Sequence, residues 1–490
     1  MSFVSNFERM ANMTNSENGG RTFKSTGGGD LLNLYSQVGS MRSRDASEIV
    51  SMWRAARKEN PELADNLILY TRGIRNGGAG ERRTGRILLR ELAKVDPSKI
   101  ERNFDTIVEA GRWDDLWIFI DTPVEDAMWA FIEKQFSEDV ANMRNNKPIS
   151  LLAKWACSIN TSSAETRRIA KRTCSKLGLT FRTYRKTLSA LRRYIDVVER
   201  KMSAGQWDEI NFEGVPSVAM SRYISAFNNH LPEKFQAYKD ALTKGEAKVN
   251  AGALFPYDIT QKFLRGRTWD YKDCHLDTVD EEQWKNLPNY VDGTYDVLVL
   301  ADVSGSMFAD DGRPMATSIG LATYFAQRNK GAYHGKYLTF TNHPEFIQIS
   351  DNWTLEDTLR YVLNTGVGYS TDLDRAMSAI FEVAKISHEA PKALVVVSDM
   401  EINPWYSGDY CESIVSKWTK KYEAIELKAP KIILWNVESR GGRTLAPQTD
   451  NVGYVSGYGV APFKSLTTLL EKSAYEAMVD ILSQDAFQWK

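Results

Sequence analysis

Along the first 290 residues apolar side chains recur at three- to four-residue spacing, whereas beyond them they come in short continuous runs. Leu67, Leu69, Tyr70 and Ile74 stand at i, i+2, i+3 and i+7, and Ile87, Leu88 and Leu92 resume the pattern past a cluster of glycines. That is the spacing of one buried helical face. Similar segments follow in "MWAFIEKQFSEDVANM", "PISLLAKWACSI", "SSAETRRIAKRTCSKLG" and "TFRTYRKTLSALRRYIDVVERKM". Ser163 and Thr180 stand where helix N-caps are expected. Short amphipathic helices joined by brief turns are the pattern of a helical repeat array. Residues 1–30, polar and ending in "STGGGD", read as a flexible N-terminal arm, and residues 31–288 as an α-helical domain.

The pattern changes near "DEEQWKNLPNYVDGTYD". Beyond it "YDVLVLADVS", "KALVVVSDM", "KIILWNV" and "VGYVS" predict strands, and "GKYLTFTNHPEFIQI" predicts a hairpin. Helices alternate with them, in "RPMATSIGLATYFAQRNK", "TLEDTLRYVLN", "DLDRAMSAIFEVAKI" and a closing "FKSLTTLLEKSAYEAMVDILSQ". Uniformly apolar strands separated by helices imply a parallel sheet covered on both faces. Residues 291–490 are therefore expected to be an α/β domain, making the chain multidomain.

Composition narrows the class. A chain of 490 residues, 42% hydrophobic and 26% charged, is in the range of ordinary globular proteins. It has no apolar run of membrane-spanning length and no apolar stretch behind a basic start, so neither membrane insertion nor secretion is expected. Cys157, Cys174, Cys274 and Cys411 are widely spaced, which fits reduced thiols in a cytoplasmic protein. The net charge of −1 conceals a division. Residues 1–290 hold 44 of the 62 Lys and Arg but 38 of the 63 Asp and Glu, so the first part is basic and the second acidic. Residues 166–201 alone carry twelve Lys and Arg against two acids. A block so basic calls for an anionic partner.

Candidate chemistry lies where the apolar strands stop. "LVLADVSGSM" breaks off at Asp302, Ser304 and Ser306, "VVVSDM" ends at Asp399, and "GVGYSTDL" puts Thr371 in a Gly-rich loop before a helix. In open α/β sheets ligands bind beyond the carboxyl ends of strands. Hard oxygen donors, only two of them charged, suit an octahedral Mg2+ that keeps some waters and can accept an acidic group. Any one of these residues alone reads as a helix cap; five in order at successive strand ends do not. Here residues 291–490 resemble the von Willebrand factor A (vWA) family, whose metal-ion-dependent adhesion site (MIDAS) is D-x-S-x-S, a loop Thr and a strand-end Asp. The resemblance implies a Rossmann-like α/β domain with Asp302, Ser304, Ser306, Thr371 and Asp399 holding Mg2+ or another divalent cation. The loop departs from the family in reading Tyr-Ser-Thr where Gly-Gly-Thr is usual.

Catalytic patterns are missing from the sequence. "DVSGS" is not the G-x-S-x-G nucleophile elbow, no phosphate-binding P-loop occurs, and the five histidines show no metal or triad spacing. No enzyme is expected.

Two basic stretches remain. In "TRGIRNGGAGERRTGRILLREL" six arginines bracket the glycines, and Arg75, Arg82 and Arg86 read as pins at helix junctions. In the second stretch Arg168, Lys171, Arg172, Arg182, Arg185, Lys186, Arg192 and Arg193 fall in rows with Tyr184 interleaved, suited to phosphate contacts and base stacking. "RGIRNGGAGERRTGR" ahead of a vWA metal motif resembles the TROVE module of Ro ribonucleoproteins, and "YRKTLSALRRYIDVVERKMSAGQWDEINFEGVPSVAMSRYISAF" is similar to a TROVE-like branch of plants, fungi, bacteria and large phages. That resemblance implies an all-α HEAT-like helical ring closed by the vWA domain. It also implies binding of small structured or misfolded noncoding RNA on the basic outer surface and passage of single-stranded ends into the ring. A Ro-like RNA-binding ribonucleoprotein scaffold is thus the first expectation. The second is a metal-dependent protein-interaction or assembly module whose partner offers an acidic side chain.

Overall fold

The N-terminal segment, expected to be a flexible arm, is ordered in the computed structural model, which describes residues 3–74, 76–264, 274–291, 293, 295–365, 368 and 370–490. It forms a helix, Phe3–Asn12, and two short antiparallel strands, β1 (Met13–Asn15) and β2 (Arg21–Phe23). Phe23 is fully buried and exchanges backbone hydrogen bonds with Thr444 at 2.8 and 2.9 Å. Arg9, 7% exposed, donates to both carboxylate oxygens of Asp450 at 3.0 and 2.9 Å. A polar segment is held here by hydrogen bonds to chain some 400 residues away, which leaves no trace in local hydropathy.

The sheet comprises β3 (Val297–Asp302), β4 (Lys336–Phe340), β5 (Glu345–Gln348), β6 (Ala393–Ser398), β7 (Lys431–Asn436) and β8 (Val452–Ser456). Their order is β5-β4-β3-β6-β7-β8, all parallel except the β4–β5 hairpin. The predicted strands and hairpin are therefore present. The closing helix is broken in two, Leu466–Glu471 and Ala474–Leu482, because Ser473 forms a reciprocal cap with Glu476. The helix after β3 has Asp310, Asp311 and Gly312 in the left-handed region, so its regular part begins at Arg313, where the sequence pattern predicts it.

The helical part carries the expected caps. The Ser163 hydroxyl accepts from the Thr166 N–H at 3.2 Å, and the Thr180 hydroxyl from the Thr183 N–H at 3.1 Å. Packing does not stop at residue 290, however. Leu298 and Leu300 of β3 face a core that runs continuously through helices from Leu31 to Leu191. Val297, Val299 and Ala301, on the other face, share a core with Ile259 and Phe263 of helix Pro256–Leu264. A third core, around Phe212, Phe227, Phe235 and Tyr238, belongs to residues 198–279 alone. The helical path thus starts against the sheet, leaves it and returns to its opposite face. The chain terminus adds to this closure: the Lys490 N–H donates to Asn103 Oδ1 at 2.8 Å, and Asn66 Nδ2 to the Leu482 carbonyl at 3.2 Å. Among the described residues no helix is long and apolar enough to cross a membrane.

Candidate metal centre and basic surface

The sheet order reverses at β3, whose neighbours are β4 on one side and β6 on the other. A crevice opens beyond the carboxyl ends at such a point. Asp302 ends β3 and is fully buried. One oxygen accepts from the Ser304 N–H at 3.0 Å, and the other from the Ser398 hydroxyl at 2.6 Å. The hydroxyls of Ser304 and Ser306 are 3.1 Å apart. Asp399 follows β6 directly and accepts from the Glu401 N–H at 3.1 Å, the intervening Met400 lying in the left-handed region at φ 67°. Thr371, 1% exposed, is held beside the β6 end: the Asn403 N–H donates to its carbonyl at 2.9 Å. Its hydroxyl oxygen has no hydrogen-bond partner among the described residues.

Burial pushes the Asp302 carboxyl up to about 7, the nearby Asp399 charge adding to the shift. Asp399 is raised as well, again chiefly by burial. Two buried carboxylates resist ionising together unless a cation lies between them. The two buried carboxyls, the hydroxyl cluster and the orphaned Thr371 oxygen fit a hard divalent ion. Among the described residues no three acidic, His or Cys side chains could hold a metal together, so any ion at Asp302 and Asp399 depends on hydroxyl and water oxygens for the rest of its shell.

Sequence reasoning missed several residues at this centre. Ser398, which orients Asp302, immediately precedes Asp399. Arg440 lies past the end of β7, and its Nη2 donates to Asp399 Oδ2 at 3.2 Å and to the Ser306 carbonyl at 2.9 Å. Looking for side chains beyond a third adjacent strand end would have found it. Glu17, whose carboxylate is 3.5 Å from Arg440 Nη1, carried no signal in the sequence.

The basic block divides by what its cations touch. Arg168 pairs with Glu165 at 2.8 Å, while Arg172 pairs with Asp121 at 2.9 Å and Glu125 at 2.6 Å. Arg192 is a structural anchor, donating to the carbonyls of Ala153 and Ala156 at 2.8 and 2.7 Å. Tyr184 is fully buried, its hydroxyl on the Cys157 carbonyl at 2.9 Å, so it offers no face to a base. Lys171, Arg182, Arg185, Lys186 and Arg193 are exposed, and the structure shows no ion pair from them to another described residue. The exposed rings here are Phe181 and Tyr194, at the two ends of helix Phe181–Tyr194. Beside this helix a cleft of about 610 Å3 is lined by Lys154, Trp155, Arg185, Arg192, Arg200 and Arg222 among others.

The glycine–arginine stretch is tied to the helix junction. Arg72, 1% exposed, donates to Asp115 at 2.8 Å, and Arg86 reaches the other oxygen of Asp115 at 2.5 Å. Arg82 pairs with Asp114. A side chain on Gly111 would start 2.2 Å from the Asp115 carboxylate, so the junction closes only with glycine there. Arg75 lies outside the described residues.

Comparison with known proteins adds three findings. Residues 127–292 match the model of the Domain of unknown function (DUF2828), and residues 296–485 match that of the Domain of unknown function (DUF7788). The chain is 26% identical over 520 residues to the Uncharacterized protein L728 of Acanthamoeba polyphaga mimivirus, covering 96% of this chain and 88% of that one. In structure it is similar to the crystal structure of the Deinococcus radiodurans RO (RSR) protein, at 15% identity and a TM-score of 0.42, over 85% of this chain and 99% of that chain.

Proposed function

We propose that the protein is a non-enzymatic, Ro-like RNA-binding scaffold of the cytoplasm, with a Mg2+ site of vWA type in its α/β part. The observation that carries the reading is the outer face of helix Phe181–Tyr194. Arg182, Lys186 and Arg193 fall at i, i+4 and i+11 along one stripe, Arg185 borders it, and the exposed rings of Phe181 and Tyr194 flank it. Unpaired cations gain most from phosphates, since each contact releases condensed counterions without first breaking an internal pair. Exposed rings beside them can stack on unpaired bases. Lys171 extends the surface; Arg168 and Arg172 would have to exchange carboxylate partners to join it.

A second cleft, of about 840 Å3, lies between the N-terminal helices and residues 253–258. Arg83, Arg86, Arg112, Phe255 and Tyr257 line it, a combination suited to a single-stranded end. In the α/β part, Asp302, Ser304, Ser306, Thr371 and Asp399 would hold the ion, and Ser398 orients Asp302. A bound Mg2+ would offer an open coordination position to an acidic group. The same position supports a second reading, a metal-dependent protein-interaction module without RNA. Retention of total cellular RNA in an electrophoretic shift, with sequencing of the bound fraction, tests the first reading. Loss of all retention leaves the second.

A further inference from the structure

Glu17 lies in the turn between β1 and β2, and that turn is fastened to the segment just after Asp399. The Glu17 N–H donates to Glu401 Oε2 at 2.5 Å, Asn18 Nδ2 to the Glu401 carbonyl at 2.7 Å, and the Ser16 hydroxyl to the Ile402 carbonyl at 2.5 Å. The approach is too close for any side chain at Gly20, whose Cβ would stand 2.4 Å from the Ile402 oxygen. The backbone of Glu17 is therefore fixed beside the metal centre while its carboxylate stays half exposed.

That carboxylate meets the centre through one cation. Arg440 holds Glu17 with Nη1 at 3.5 Å, and with Nη2 it holds Asp399 at 3.2 Å and the Ser306 carbonyl at 2.9 Å. A carboxylate of the N-terminal hairpin and two of the five expected metal-shell residues thus converge on a single guanidinium. The neighbouring Glu401 is already engaged, by Arg443 at 3.1 Å and by the Glu17 N–H.

A guanidinium only donates hydrogen bonds. It offsets the charge of Asp399 but gives nothing to the hydroxyl of Thr371, which is left without a partner among the described residues. A hard divalent ion would offset the same charge and also take hydroxyl oxygens as ligands. We propose that Arg440 is an internal cation which a divalent ion displaces from Asp399, and that Glu17 is the acidic ligand the chain itself presents to that ion. Metal binding then clasps the β1–β2 hairpin to the α/β part, and the partner's acidic group of the second reading is supplied in cis. This rests on the metal site proposed above.

The two residues have opposite expected effects, which makes the test sharp. Mn2+ binding to the full-length protein is followed by calorimetry and by the electron paramagnetic resonance signal of free Mn2+, and melting in EDTA checks the fold. Glu17→Gln should weaken Mn2+ binding on the order of tenfold, as loss of a metal-supporting group usually does. Arg440→Gln should tighten binding, because a competing cation is gone. In the wild type Mn2+ should also slow hydrogen exchange at the Gly20 and Phe23 amides, and in Glu17→Gln it should not. Wild-type affinity in Glu17→Gln, or no tightening in Arg440→Gln, overturns the exchange while leaving the metal site standing. A wild-type protein that binds no Mn2+ overturns both.

Discussion

The Ser398 hydroxyl, at the end of β6, donates to the buried Asp302 carboxylate, at the end of β3, over 2.6 Å. This bond ties two adjacent strand ends into one centre, with Asp399 one residue beyond. If the centre holds Mg2+, the ion stabilises the folded chain by mass action, by about 2.7 kcal/mol at a hundredfold excess over Kd. Asp302→Ala should abolish the Mg2+-dependent rise in melting temperature while the helical part stays folded by circular dichroism. An unchanged Mg2+ effect in the variant would contradict the assignment.

Asp115 should be the most costly residue to lose from the glycine–arginine junction. It is fully buried and accepts from Arg72, Arg86 and the Arg112 N–H. Burial alone would raise its carboxyl, but the Arg72 and Arg86 charges outweigh that and hold it below the ordinary carboxylate range. Asp115→Ala leaves Arg72 buried without its partner and should cost about 3–5 kcal/mol in urea unfolding. Arg82→Ala, at a half-exposed side chain, should cost about 1 kcal/mol or less. The sign with pH follows from the depressed value. The stabilisation from Asp115 is complete above the unfolded carboxyl pKa of about 4 and is lost as pH falls through the lower folded value. Asp115→Asn should flatten that acid limb.

The N-terminal hairpin should matter to stability far more than its polarity implies. Phe23→Ala empties a fully buried site against Thr444 and should cost about 3–5 kcal/mol. Deleting residues 1–24 also strips Asp450 of Arg9, its buried counter-ion. That truncation should lower the melting temperature and raise binding of an apolar dye. A truncated chain that melts with the wild type would show the docking to be dispensable.

How far the sequence could be read depended on where each partner lies. The strands and helices of residues 291–490 were legible because apolar runs and turn residues are local signals. Asp302, Ser304, Ser306, Thr371 and Asp399 could be named as candidates from the sequence because each stands at a strand end or loop whose position that pattern predicts. Arg172 is met by Asp121 and Glu125, acids from some fifty residues earlier that charge counting along the chain cannot see, whereas Arg168 is met by Glu165, which stands just ahead of the counted block. Tyr184 and Arg192 were offered as binding residues on sequence adjacency, yet helical rotation turns one into the core and the other onto the Ala153 and Ala156 carbonyls. The fixed N-terminal hairpin was out of reach, since the contacts at Thr444, Asp450 and Ile402 that hold it are tertiary.

Binding to RNA is the central claim, and its dependence on salt tests it most directly. Each phosphate contact should contribute about −0.7 to the slope of log K against log salt for single strands, or about −0.9 in the duplex limit known for B-DNA. In a filter-binding salt series with bound cellular RNA, changing Arg182, Arg185 and Lys186 to Gln should weaken binding and flatten the slope by roughly two to three units. Changing Arg168 and Arg172 should alter it less, because their charges are already met by Glu165, Asp121 and Glu125. Asp302→Ala, in the acidic part of the chain, should leave it almost untouched. Wild-type affinity and an unchanged slope in the Arg182, Arg185 and Lys186 variant would make this helix a solvated face and contradict the account.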